Sequence, residues 1–313
     1  MELPLEYKVK LESLLEGQSL SKLKDCAFSV SDKYQNGFVG ENHIKDELSA
    51  KVYAVMRYPA TFKAFSTALS YALMHFNGNI NSLIDVGSGS GAATLASMLS
   101  LDIKEAMLLE KEETMIKVGQ SLFADTPYQS VVNYQQIDIA KSLFDGHADM
   151  IISSYVLNEL DDIGRLNCLN KMWNMADSLI VIVEPGTPKG SALIKQVRDY
   201  YFSLGGFVLA PCPHMNECSY DWCHFSTRVA RSKLHKQLKG GDAPYEDEKF
   251  AYIAISKKEC SRCATRVLRH PLINPGFVEL EACTSDGVKK IKFTKKDKDN
   301  YKTARKASCG DEL

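Results

Sequence analysis

The 313-residue chain predicts an α/β protein built on a parallel sheet, and three observations carry that expectation. From residue 80 onward, short apolar runs alternate with amphipathic segments, the pattern of strands covered by helices. A glycine-rich turn, Gly87-Ser88-Gly89-Ser90-Gly91, follows the first run directly and opens an amphipathic segment. Carboxylates close the next two runs, Glu110 and Asp138, at the edge where open α/β sheets take ligands.

The elements follow in order. Residues 1–75 read as helical, with Leu11, Leu14 and Leu15, then Val52, Val55, Met56 and Tyr58, at helix-like spacing. Asn36-Gly37 and Gly40 break this stretch, and Pro59 is expected to start a new helix. Strands are expected at 82–86 (SLIDV), 106–110 (AMLLE), 131–137 (VVNYQQI), 150–153 (MIIS) and 179–184 (LIVIVE). Helices are expected near 91–100, 112–124, 161–176 and 189–204. GFVLA (206–210) and FAYIAI (250–255) predict a final antiparallel pair, with residues 211–248 inserted between them. FVELEAC (277–283), the turn Ser285-Asp286-Gly287 and VKKIKF (288–293) predict a hairpin followed by a short helix. The expected organisation is a helical region at 1–75, an α/β domain at 76–256 with its insertion at 211–248, and a basic extension at 257–313.

Composition narrows the class. At 45% apolar and 25% charged residues, the chain is too apolar for a disordered protein and too poor in Gly and Pro for a fibrous one. No apolar run reaches the roughly 18 residues of a membrane helix. The opening MELPLEYKVKLESLL has no basic and apolar leader pattern, and Glu2, Glu6, Glu12 and Glu16 argue against a transit peptide. CGDEL at the end resembles an ER-retrieval tail only loosely. A soluble intracellular monomer without membrane association is therefore expected.

Charge is distributed unevenly. Residues 1–205 carry 18 Lys and Arg against 25 Asp and Glu, and residues 206–313 carry 20 against 14, so net charges of −7 and +6 follow. The densest basic run holds Lys289, Lys290, Lys292, Lys295, Lys296, Lys298, Lys302, Arg305 and Lys306. Clustered positive charge attracts polyanions by releasing counterions, although a solvated lysine-rich helix has the same composition.

The turn at 85–91 reads DVGSGSG. Its glycines at 87, 89 and 91 allow a tight backbone and close approach of a ligand. The spacing is neither the G-x-G-x-x-G of dinucleotide folds nor a P-loop. Asp85, two residues before the first glycine, would repel a pyrophosphate and suits a ligand with a positive centre. Glu110 stands where a carboxylate accepts from both ribose hydroxyls, and Asp138 stands where one meets an adenine amino group. Asp85, Gly87, Gly89, Gly91, Glu110 and Asp138 together resemble the cofactor site of a class I, Rossmann-like methyltransferase that binds S-adenosylmethionine (SAM). Methyl transfer in that class relies chiefly on alignment. The segment SSYVLNEL (153–160) lacks the Asn/Asp-Pro-Pro-aromatic signature of base N-methylation, so no catalytic residue is assigned.

Nine cysteines in a chain with no secretory leader argue against structural disulfides. Cys26 and Cys168 fall in helical patterns and read as packing residues. Cys212, Cys218 and Cys223 lie in APCPHMNECSYDWCHF, followed by Cys260, Cys263, Cys283 and Cys309. The C-x₅-C-x₄-C spacing is looser than the paired ligands of zinc fingers and suits four-cysteine ligation of an iron–sulfur cluster. Pro211-Cys212 also fits a covalent cytosine-C5 nucleophile, a weaker account of this cysteine. Zinc on Cys260 and Cys263 with His214 or His224, or unliganded thiols, are the alternatives.

LIDVGSGSGAAT, SYVLNEL, EPGTPKG (184–190), the APCPH…WCHF loop and YEDEKFAYI (245–253) together resemble the ribosomal small-subunit methyltransferase-like family of mitochondria and bacteria. The resemblance runs over essentially the whole chain and is most distinctive at WCHFSTRVAR and EDEKF. It implies a class I SAM-dependent methyltransferase fold with an N-terminal helical region and a C-terminal cysteine-rich, basic extension. It also implies the small ribosomal subunit and its rRNA as partner, and a 4Fe–4S cluster held by Cys212, Cys218, Cys223 and Cys283. The expected function is SAM-dependent rRNA methylation, or alternatively non-catalytic subunit assembly with SAM and the cluster as structural or sensory ligands. A small-molecule methyltransferase is the weaker third reading, because the basic terminal part counts against it. A cytoplasmic, bacterial-type member is expected, with the mitochondrial matrix as the alternative.

Overall fold

The computed structural model describes residues 1–36, 44, 46–142 and 144–313, the side chains of 33–36 excepted. Its described residues form two compact units, each discontinuous in sequence: residues 1–67, 79–177 and 227–248 in the first, and 68–78, 178–226 and 249–313 in the second.

The chain begins with helices α1 (Leu5–Ser13), α2 (Leu20–Asn36) and α3 (Glu47–Leu73). Gly37 and Gly40, expected as breaks, lie outside the described residues. Pro59 does not start a helix; it sits inside the continuous α3. An interior proline costs roughly 3 kcal/mol through the lost hydrogen bond and ring clash. Val55, Met56, Tyr58, Ala60 and Phe62 around it are all buried, and each large side chain contributes about 1.5–3 kcal/mol. Packing therefore outweighs the local preference.

Strand and helix then alternate: β1 (Ser82–Val86), α4 (Ala92–Ser100), β2 (Glu105–Glu110), α5 (Glu113–Phe123), β3 (Val132–Gln136), β4 (Ala148–Ser154), α6 (Asp162–Met175), β5 (Ala176–Pro185), α7 (Pro188–Ser203) and β6 (Phe207–Ala210). In the first unit the strands run in the order β3-β2-β1-β4. β1 pairs in parallel with both neighbours, Ile84 facing Met107 of β2 and Ile151 of β4. Val86, Leu108, Met150, Ile151 and Ile152 are fully buried, as expected of parallel strands covered on both faces. Helix starts match their sequence signals. Asp161 accepts from the Gly164 amide at 2.7 Å to cap α6, and Thr187 accepts from the Gly190 amide at 3.1 Å to cap α7, with Pro188 at its first position.

The insertion carries β7 (Phe225–Ala230) and α8 (Lys233–Lys239), and β8 (Tyr245–Ser256) follows. In the second unit β8 lies between β5 and β6, antiparallel to both, with Ile182 facing Ile253 and Phe207 facing Ser256. β7, which the sequence did not announce, pairs with β8. The remaining strands are β9 (Thr265–Val267), β10 (Leu272–Asn274), β11 (Phe277–Thr284) and β12 (Gly287–Thr294), before α9 (Asp299–Lys306). β11 and β12 make the expected hairpin, Val278 facing Phe293 and Cys283 facing Val288. β9 and β10 pair with β11. Val267, Val278, Leu280 and Ala304 form a small core of their own. The architecture is that of a class I SAM-dependent methyltransferase: a parallel β3-β2-β1-β4 order with a glycine turn after its first strand. N-terminal helices precede it.

Candidate functional site

In the first unit, strand order reverses beside β1, and such a switch point leaves a crevice at the carboxyl ends of the strands. A cavity of about 410 Å³ opens there. Gly87, Gly89, Glu110 and Asp138 line it, together with Arg57, Tyr155 and Glu159.

The three glycines of the turn have different reasons to be glycine. All have positive φ, +70°, +55° and +87° in chain order, which costs other L-residues about 1–2 kcal/mol. A Cβ on Gly87 would lie 2.4 Å from Val156, and one on Gly91 would lie 2.6 Å from Phe123. At Gly89 the nearest atom would be the terminal methyl of Met115, 3.5 Å away. Gly87 and Gly91 thus serve packing, whereas Gly89 leaves open space on the cavity wall.

Glu110 takes a backbone donor on each oxygen. The Gly89 amide donates to Oε2 at 2.8 Å and the Glu112 amide to Oε1 at 2.9 Å. The Lys111 amide also donates to this carboxylate. Burial raises the Glu110 carboxyl above its usual range, opposed by these amide donors. Asp85 lies beneath the turn, 1% exposed, with Oδ2 accepting from Thr94 Oγ1 at 2.6 Å. Burial pushes its carboxyl up to about 7. Asp85 therefore anchors the first turn of α4, and its charge reaches the cavity from below. Glu159 is also pushed up to about 7, chiefly by burial, with Lys111 opposing and Glu110 and Glu112 adding to the rise. Three desolvated carboxyl groups sharing one site favour a cationic ligand, which would relieve their mutual repulsion.

Arg57, Tyr155 and Glu248 were not singled out in the sequence, although Tyr155 and Glu248 lie in its distinctive motifs. Arg57 of α3 donates to both oxygens of Glu248, at 2.8 and 3.3 Å. Tyr155 follows β4 and donates its hydroxyl to Glu248 Oε1 at 3.0 Å. The Arg57 guanidinium lies 5.5 Å from the centre of the Tyr155 ring. Tyr155 holds φ at +62°, a costly value for a bulky residue and the kind of strain that collects at functional positions. Glu248 belongs to the EDEKF segment, whose distinctiveness was visible although its partner was not.

The cysteines gather in the second unit. Cys212, Cys218, Cys223 and Cys283 line one cavity, brought there by the segment after β6 and by β11. Its free space is about 20 Å³. Burial pushes the Cys212 thiol up to about 11, and Cys218 and Cys263 add to the rise. Cys283 rises to about 12, by burial and then by Cys212, Cys218 and Cys263. Cys223 rises for the same reasons, with Cys212, Cys218 and Cys283 as its neighbours. The four expected ligands are thus neighbours, and Cys260 lies outside the cavity walls. Cys263, 4% exposed, donates weakly to the Pro211 carbonyl at 3.7 Å. Among the described residues no three His, Cys, Asp or Glu groups converge closely enough to hold one metal ion, and that includes the zinc set considered from the sequence. An all-thiol donor set fits the four-cysteine ligation of an iron–sulfur core. The free space is small and no three of these thiols converge on one point, so the loop would have to rearrange to admit one.

The distinctive motifs hold the cysteine-bearing segment in place beside this cavity. EPGTPKG presents the Gly186 carbonyl to the Trp222 indole N–H at 3.0 Å. Ser191 Oγ, one turn into α7, accepts from the Cys223 amide at 2.9 Å. Trp222 stacks on His224 with ring centres 4.3 Å apart. No helix among the described residues is long and apolar enough to cross a membrane.

The chain is similar to several known proteins. Residues 47–313 match the family model described as mitochondrial small ribosomal subunit Rsm22. The human ribosome assembly protein METTL17, mitochondrial, is 26% identical over 258 residues, which cover 74% of this chain and 55% of that protein. The Rsm22-cox11 tandem protein 2, mitochondrial, of Schizosaccharomyces pombe is 20% identical over 286 residues, covering 73% of this chain and 38% of that one. The chain therefore spans about half the length of the human relative and less of the yeast one. Among solved structures, magnesium protoporphyrin IX methyltransferase from Synechocystis PCC 6803 aligns with 82% of this chain and 100% of its own, at 10% identity and a TM-score of 0.43. The N-methyltransferase NodS from Bradyrhizobium japonicum WM9 aligns with 75% of this chain and 99% of its own, at 12% identity and a TM-score of 0.42.

Proposed function

The chain belongs to the Rsm22 family of the mitochondrial small ribosomal subunit, and from that membership we propose that it acts in assembly of the small subunit as a SAM-binding rRNA methyltransferase. The observation that carries the SAM reading is the cavity at the switch point, where Gly89 leaves an open wall, Glu110 and Glu159 line the floor and Asp85 lies buried beneath the turn. Glu110 would receive the ribose hydroxyls, and Asp138 the adenine amino group. The turn at Gly87–Gly91 would pass beneath the ligand. When bound, SAM supplies a methyl group on a positively charged sulfur. The chain's own contribution is to orient that group, exclude water and hold the acceptor, because alignment supplies most of the rate in this chemistry.

The basic run of β12 and α9 supports rRNA as partner. Lys289, Lys290, Lys292, Lys295, Lys296, Lys298, Lys302 and Lys306 are all exposed, so they can meet phosphates without desolvating a core. The relatives named above are mitochondrial by description, so the matrix rather than the cytoplasm is the location proposed. Cys212, Cys218, Cys223 and Cys283 are proposed to hold a 4Fe–4S cluster that cross-links the loop after β6 to β11. Metal binding of this kind is coupled to ordering of its ligand loops.

One observation favours a second reading, a methyltransferase-shaped assembly factor that binds SAM and transfers nothing. The position after β4 is filled by Tyr155, and Glu248 and Arg57 tie it down. Transfer of labelled methyl from SAM to immature small subunits, taken from cells lacking the protein, separates the two. Label in rRNA, absent with Gly89→Asp, supports the enzyme. Tight particle binding without label establishes the non-catalytic factor.

A further inference from the structure

Two arginines grip the cysteine-bearing loop of the second unit. Arg198, on α7 and 3% exposed, donates Nη2 to the carbonyls of His214 and Asn216, at 3.4 and 2.6 Å. Those carbonyls lie between Cys212 and Cys218. Arg269 donates Nη2 to the Trp222 carbonyl at 2.8 Å and Nη1 to the His224 carbonyl at 3.3 Å, one residue to each side of Cys223. A third, Arg266, reaches the Pro211 carbonyl at 3.2 Å, but its charge is balanced by Glu312 at 2.8 Å.

The charges of the first two are not balanced in the same way. The carboxylate partner of Arg198 is Asp199, whose side chain is 59% exposed, so water screens that pair strongly. Arg198 Nε–H is buried and has no hydrogen-bond partner among the described residues. Arg269 donates to the carbonyls of Trp222, His224 and Leu268, and it makes no ion pair among the described residues. Arg198 is buried beside a carboxylate that faces water, and Arg269 is half-buried against carbonyls, so a negatively charged partner at the cysteine loop would offset the cost of withdrawing them from water.

We propose that Arg198 and Arg269 are the positioning residues of the cysteine cavity, holding the loop backbone on either side of its cysteines and compensating the negative charge of a four-thiolate iron–sulfur cluster. The inference rests on the four-cysteine reading above. Both side chains grip backbone carbonyls of the loop, and Arg198 also hydrogen-bonds the Cys212 thiol. Net charge and hydrogen bonds to sulfur are among the levers that set a cluster's potential. Reduction by one electron deepens the cluster's negative charge, so two unbalanced cations favour the reduced form. The unpartnered Nε–H of Arg198 is the donor available to a ligand sulfur.

The test uses the full chain, loaded anaerobically with iron and sulfide, as wild type and as Arg198→Gln, Arg198→Lys, Arg269→Gln and Arg269→Lys. Iron per chain, the midpoint potential under dithionite titration followed by electron paramagnetic resonance, and the rate of iron release to a chelator are read for each. The glutamine variants are expected to load iron, titrate at a lower potential and release iron several-fold faster. The lysine variants keep the charge but lose the two-pronged grip, so they should recover the potential and still release iron faster. Wild-type potential and release rate in both glutamine variants would overturn the proposal while leaving the cluster intact. If the glutamine variants do not fold, wild-type release rates in the lysine variants overturn it instead. A wild-type chain that binds no iron defeats the cluster reading itself, and this inference with it.

Discussion

The amide of Gly89 donates to Glu110 Oε2 at 2.8 Å, joining the glycine turn to the end of β2. That bond places an open stretch of backbone beside a carboxylate already desolvated by the protein. Substituting Gly89 should therefore affect ligand binding before it affects the fold. Gly89→Asp brings a second carboxylate into the space next to Glu110. SAM affinity should fall by at least about 100-fold, roughly 3 kcal/mol, with a stability loss of about 1–2 kcal/mol from the positive φ. Gly91→Ala should do the reverse, because its Cβ would meet Phe123 and Tyr134. A loss of about 2–4 kcal/mol is expected there. Chemical denaturation and calorimetric titration of both variants check the contrast.

The buried carboxyl groups of the site make a pH prediction. Asp85 and Glu159 are both held up to about 7, with burial the larger cause at each. Below that value they are protonated and do not attract a cation; above it they are charged. SAM carries a positive sulfur and S-adenosylhomocysteine does not. The ratio of their affinities should therefore shift toward SAM between pH 6 and pH 8. A ratio flat across that interval would show that these carboxyls do not sense the ligand's charge.

Raised carboxyl groups also tie stability to pH. Between the ordinary carboxylate range and about 7, the folded chain keeps a proton on Asp85 that the unfolded chain has lost. Stability of the ligand-free protein must then fall as pH rises through that window. Asp85→Asn retains an acceptor for Thr94 and removes the ionisation. Its unfolding free energy should exceed that of wild type at pH 8 by an amount on the order of 1 kcal/mol or more, and the two should converge near pH 4; chemical denaturation at both pH values checks it.

Glu248 serves Arg57 and Tyr155 at once. The Arg57–Glu248 pair is mostly withdrawn from water, with side chains 27% and 13% exposed. Glu248→Gln leaves the guanidinium without its counter-charge and should cost about 1–3 kcal/mol. Tyr155→Phe removes one hydrogen bond and should cost about 1 kcal/mol. Denaturation of the two single variants and the double variant would show non-additive losses, since both remove contacts to the same carboxylate.

Retention of the small subunit should depend on salt through the basic run. Replacing Lys292, Lys295 and Lys296 by Gln removes three exposed cations. The slope of log affinity against log salt should then decrease by about 2–3. An unchanged slope would move the contact surface elsewhere.

Much of the first unit was legible because its determinants are local. The apolar runs that became β1, β2 and β4 are buried on both faces, so their continuous Leu, Ile and Val composition marks them directly. Asp161 and Thr187-Pro188 announce α6 and α7 by capping chemistry. The glycine turn is readable because positive φ is a backbone requirement that few residues meet. The same logic fails at Pro59, where local preference predicted a helix start and burial of Tyr58, Phe62 and their neighbours carried α3 through. β7 and β9 were not read because short strands gain their stability from partners distant in the chain.

The residues by themselves determined the α/β class, the position of the glycine turn, the acidic strand ends and the three cysteines of the loop; that Cys283 stands with them was implied by the family resemblance and is shown by the fold. Which glycine faces open space, that Asp85 lies under the turn, and that Glu248 joins Arg57 to Tyr155 were decided only by the tertiary structure. So was the grip of Arg198 and Arg269 on the cysteine loop. Residue type and spacing specify backbone conformation within a few positions. A charge buried against a carbonyl far away in sequence depends on how separate elements pack, and no local pattern records that.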